Sequence, residues 1–98
     1  MNKIYWDTNK YKNGQTIPNW TKYKFHSVLI CGTTTKDIIS HFRTTVSSTD
    51  SIYFNENNVN DSNGQIGFAV TININGTVNI GGNNFKENSF VEHISMWN

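Results

Sequence analysis

The sequence predicts an all-β protein, an antiparallel, jelly-roll-like β-sandwich of seven to eight short strands. Three observations lead there. Residues 65–80, QIGFAVTININGTVNI, alternate apolar side chains at Ile66, Phe68, Val70, Ile72 and Ile74, turn at Asn75-Gly76, and resume at Val78 and Ile80. A period of two is what a strand needs when one face meets a core and the other meets water. Turn-forming residues also recur at short intervals, at Gly14, Pro18-Asn19, Gly32, Gly64, Gly76 and Gly81-Gly82. Finally, Asn, Thr, Ser and Gly supply 42 of the 98 residues, yet 13 aromatics are present. Asparagine-rich chains can be disordered, but this aromatic content and the strict alternation predict a folded β domain.

Residues 3–6 (KIYW) form a first short strand, followed by a polar loop over 7–14. Residues 15–17 make a second extended piece, ended by the turn pair Pro18-Asn19. Residues 20–31 read as one long strand. Tyr23, Phe25, Ser27, Leu29 and Cys31 lie on one face of it, and Lys24, His26, Val28 and Ile30 on the other. A turn follows at 32–36. Residues 37–47 also fit helical spacing through Ile38, Ile39, Phe42 and Val46, but the β-branched run Thr44-Thr45-Val46 favours strand. Residues 51–54 (SIYF) are a further strand, and 55–64 a ten-residue polar loop.

The hairpin over 65–80 has a definable register. Pairing Ile72 with Val78 and Val70 with Ile80 puts all four on one buried face. That leaves a three-residue loop, Ile74-Asn75-Gly76, with glycine at the left-handed position of a bulged turn. A turn at 81–84 leads to a last strand within 85–97. There Phe90, Glu92, Ile94 and Met96 oppose Val91, His93, Ser95 and Trp97. The expected core is Phe25, Leu29, Phe68, Val70, Ile72, Val78, Ile80 and Ile94.

At 98 residues the chain, 1–98, is one domain with a modest core, and it shows no internal repeat or linker. Net charge is +1, with seven basic residues against two acidic in 1–43 and one against five in 44–98. The lysines are spaced singly, so a nucleic-acid partner is not expected. No segment is long and apolar enough to span a membrane, and the N-terminus lacks the apolar region of a signal peptide.

Catalytic chemistry is not expected either. Cys31 ends the apolar run VLIC and has no second cysteine, so its ordinary role is that of a small buried hydrophobe. His26, His41 and His93 are far apart and match no metal-binding spacing, and no carboxylate pair stands out as acid and base. Gly81-Gly82 has no helix start after it, so it is not a phosphate loop. No cofactor or metal is expected. What remains is aromatic. Rings with a polar edge bind sugars and protein surfaces with little entropy loss, although filling the core is the commoner role for each.

Several pieces occur in a recognisable order. They are KIYW, then Gly14-Gln15-Thr16-Ile17, then the aromatic-rich residues 20–25 entering VLIC, with a late hairpin and a closing strand that ends the polypeptide. In this the chain resembles the C-terminal receptor-binding head domains of tail-fibre and baseplate proteins from phages of low-GC Gram-positive bacteria. It departs from them at Asp7-Thr8, where a glycine is expected after the first Trp, and at Ser95-Met96. The resemblance implies a homotrimeric virion protein at the tail tip, made in the bacterial cytoplasm, that attaches reversibly to host cell-wall saccharide or teichoic acid. Met1 is then either a native start or the start of a head taken from a longer fibre. Two other classes stay open: a small intracellular phage inhibitor of a host defence protein, and a secreted bacterial lectin-like module.

The expected ligand site is a shallow one around Trp20 and Tyr23, beside a turn, with His26 or Asp7 as polar partners. Lys22 and Lys24 alternate with Tyr23 and would attract an anionic polymer. The competing role for Trp20 is packing in the core.

Overall fold

The computed structural model describes residues 3–33, 39–46, 52–61, 64–82 and 86–98, with side chains over 3–32, 69–82 and 86–98. Strands dominate the described residues, every pairing among them is antiparallel, and the fold is all-β. Among the described residues there are seven: β1 (Tyr5–Asp7), β2 (Phe25–Thr33), β3 (Ile39–Val46), β4 (Ile52–Asp61), β5 (Gly64–Ile72), β6 (Val78–Gly81) and β7 (Phe90–Trp97). They form a four-stranded sheet in the order β1-β7-β2-β3 and a three-stranded sheet in the order β4-β5-β6.

The β5–β6 hairpin has the register its buried face demands, with Val70 opposite Ile80 and Ile72 opposite Val78. Gly76 N–H donates to Asn73 O at 2.8 Å, and Asn73 N–H donates to Thr77 O at 2.9 Å. These bonds close the three-residue bulged loop, and Gly76 carries the left-handed φ of +93°. The open edge of β6 is covered by residues 13–17. Gly14 N–H donates to Val78 O, Val78 N–H to Gln15 O, Ile17 N–H to Gly76 O, and Ile80 N–H to the Asn13 Oδ1. The expected second extended piece is thus an edge cover joined by a single bridge, Thr16 to Thr77.

Several expectations are corrected. Residues 20–31 are not one strand. Asn19 adopts φ 65°, Lys22 N–H donates to Asn19 O, and a 3-10 turn over Trp20–Lys22 precedes β2. The inward face of β2 is His26, Val28 and Ile30, while Phe25 and Leu29 are only half-buried. Residues 55–61 belong to β4 instead of a loop, paired along β5 from Ile52–Ile72 to Asp61–Gly64. In β7 the inward phase changes midway. Three residues of β2, from Ser27 to Leu29, face four of β7, from Ser95 to Glu92, and His93 sits in the bulge with φ 50°. Val91 points inward before the bulge, Ile94 and Met96 after it. The side chain of Phe68 and the turn residues 83–84 lie outside the described residues.

One buried cluster draws on both sheets. It joins Val28, Ile30, Val91, Ile94 and Met96 to Val70, Ile72, Val78 and Ile80, with Ile17, Trp20 and Tyr11 closing its margins.

Candidate functional site

The four residues expected to hold a ligand divide into interior and surface. Trp20 is 1% exposed and His26 0%. Their rings stack at 3.8 Å, 13° from parallel. His26 Nε2 lies 2.8 Å from the Trp20 carbonyl oxygen, and since a carbonyl only accepts, that nitrogen carries the proton. Trp20 also packs on Gly76, where a Cβ would come within 2.8 Å of the indole's own Cβ. The core role therefore describes Trp20, and the His26 ring is no surface partner for a sugar.

Asp7 is buried as well. Its Oδ2 accepts a 2.6 Å bond from the Tyr11 hydroxyl and its Oδ1 accepts the Asn9 N–H at 2.9 Å. Burial, and then the bond to Asp7, push the Tyr11 hydroxyl up to about 12. Both oxygens of Asp7 serve the loop that leaves β1.

Tyr23 is half-buried at the margin, packed against the core cluster on one side. It stacks on Tyr5 with ring centroids 5.7 Å apart and planes 19° from parallel. The Asn19 Nδ2 donates to the Tyr5 hydroxyl at 3.3 Å. Lys3, Ile4, Tyr5 and Tyr23 line a shallow depression of about 220 Å³. Trp6, 63% exposed, projects from the other face of β1. The signal for Tyr5 was present in KIYW, but nothing local joined it to Tyr23. That meeting depends on β7 placing β1 and β2 in one sheet.

Of the lysines, Lys3 lies on this depression, and Lys22 and Lys24 flank Tyr23 in the chain. Lys3, Lys10, Lys12, Lys22, Lys24 and Lys86 are all exposed. Among the described residues only Lys10 has a carboxylate partner, Glu92 at 3.8 Å. A second depression, of about 200 Å³, is polar and bounded by Lys12, Asn13, Lys86 and Glu87.

Elsewhere the reactive groups are engaged structurally. The buried Cys31 thiol donates to Glu92 Oε1 at 3.3 Å, and burial first, then this bond, push it up to about 11. A thiol held protonated is a poor nucleophile. His93 is exposed, 3.7 Å from Glu92, and the His41 side chain lies outside the described residues. Among the described residues no three His, Cys, Asp or Glu side chains converge as metal ligands. No helix among them is long and apolar enough to cross a membrane. No family model, curated protein or solved structure matches the chain.

Proposed function

We propose that this chain is a non-catalytic receptor-binding head domain that attaches reversibly to cell-wall saccharide or teichoic acid through Tyr5 and Tyr23. The observation that carries this reading is the stacked Tyr5–Tyr23 shelf beside Lys3. An aromatic face covers the apolar face of a sugar, and its hydroxyl meets the sugar's polar edge at little cost in side-chain entropy. The lysines without carboxylate partners favour a polymer bearing anionic groups. The two sheets are the layers of a sandwich with this shelf at one margin, beside the β1 edge. In keeping with the resemblance noted from the sequence, the head works as a homotrimer at the tail tip of a virion.

The test is retention on walls purified from low-GC Gram-positive bacteria. Tyr5→Ala should keep the parent's melting temperature within a few degrees, Tyr23→Ala should still fold but melt several degrees lower because its ring packs against the core, and each should lose most adsorption. Parental adsorption by both folded variants would remove the shelf from the mechanism.

A further inference from the structure

Asn19 carries a conformation and a contact that its local role does not explain. Its backbone is left-handed, which asparagine tolerates better than other non-glycine residues. It occupies the cap position of the turn over Trp20–Lys22, yet its side chain makes no capping bond. The side chain reaches away to β1, where the amide Nδ2 donates to the Tyr5 hydroxyl. A phenol has one proton to give and lone pairs to accept with. Because the amide occupies the accepting side, the phenol proton is left over, and among the described residues no acceptor takes it. Lys3, on the same depression, brings three donors and no acceptor.

We infer that Asn19 is a positioning residue that presents Tyr5 as a hydrogen-bond donor, so that the site selects a ligand offering an anionic oxygen to Tyr5 and Lys3. This rests on the binding role of the Tyr5–Tyr23 shelf. Phosphate diester and carboxylate oxygens share the required chemistry, being acceptors without a proton. A neutral glycan hydroxyl can also accept from both groups, but it lacks the charge pairing with Lys3 that strengthens an anionic oxygen's bond. Tyr5 and Asn19 together thus set the polarity of the site, while Tyr23 supplies area.

Binding of the full chain is measured to three immobilised polymers: poly(glycerol phosphate), polygalacturonate and dextran. The parent should retain one or both anionic polymers over dextran, and which of the two it prefers identifies the anion. Tyr5→Phe keeps the stack and removes the donor, and should weaken that binding about tenfold. Asn19→Asp fits the same left-handed backbone but accepts the phenol proton and adds a negative charge. It should weaken binding at least as much. Asn19→Gly suits the backbone and leaves the proton free, so it should lose only about two- to threefold. A purely structural Asn19 would not place glycine above aspartate in binding while melting temperatures stay equal.

Equal binding by parent, Tyr5→Phe and Asn19→Asp, with Tyr23→Ala still defective, would overturn this inference and leave the shelf in place. Equal retention on dextran and the anionic polymers would overturn the stated polarity. Parental binding by Tyr23→Ala, or no retention of the parent on any polymer, would overturn shelf and inference together.

Discussion

A Cβ added at Gly76 would stand 2.7 Å from the Ile17 carbonyl oxygen and 2.8 Å from the Trp20 Cβ, on a backbone already at φ +93°. Left-handed geometry costs a non-glycine residue roughly 1 kcal/mol, and overpacking adds about 1–3 kcal/mol. Gly76→Ala should therefore lose about 2–4 kcal/mol in urea denaturation. Trp20→Ala, which empties the space Gly76 opens, should lose about 3–5 kcal/mol. A Trp20→Ala variant as stable as the parent would return the indole to the surface. Cys31 sets a pH dependence. Its thiol titrates near 9 in the unfolded chain and at about 11 in the folded one. Between those values only the folded state keeps the proton. The contribution is therefore complete below pH 9 and lost as pH rises to 11, on the order of 2 kcal/mol in all. Tyr11 acts in the same sense from 10 to about 12. Cys31→Ala should flatten the stability curve from pH 9 to 11 and leave the Tyr11 decline. An unchanged slope would place the titration elsewhere.

The bulge in β7 is the element that lets Val91, Ile94 and Met96 share one core. His93 accommodates it at φ 50°. A β-branched residue resists that region more strongly, so His93→Val should cost about 1–2 kcal/mol and speed amide exchange along β7. In the β5–β6 hairpin, Ile72 is fully buried opposite Val78, and Ile72→Ala should cost about 2–5 kcal/mol. That hairpin was legible in the sequence because only one register puts its four apolar residues on one face. β2 was not, because both its faces are apolar. Phe25 and Leu29 look more core-like than His26, whose burial depends on the Trp20 ring and carbonyl. β4 was hidden for the opposite reason. Residues 55–61, NENNVND, have no alternation, and their extended form is visible only in the pairing with β5. The site was half legible. Tyr23 could be found beside its turn, but Trp20 looked like its companion until Gly76, distant in sequence, made room for the indole inside.

At the scale of the molecule, the cationic first part of the chain supplies the shelf, with Lys3 on it, and most of the chain's lysines. Trp6 and the half-buried Phe25–Trp97 stack, with centroids 5.9 Å apart, leave aromatic surface on the outer side of the four-stranded sheet. Closed cyclic assembly would repeat and cover such a patch, in accord with the proposed trimer. Light scattering at micromolar concentration should then give about three times the 11.2 kDa chain mass, and a value near one chain would reject the trimer. Binding at the shelf should weaken as salt rises, because surface charges attract the polymer through a screened field. The most direct test of the shelf is a proton–nitrogen NMR titration of the parent with a soluble cell-wall polymer. The account predicts that the perturbed amides gather at Lys3, Ile4, Tyr5, Asn19 and Tyr23, with the core strands β5 and β6 unmoved. Perturbations centred on another surface, with these five unchanged at saturation, would contradict it.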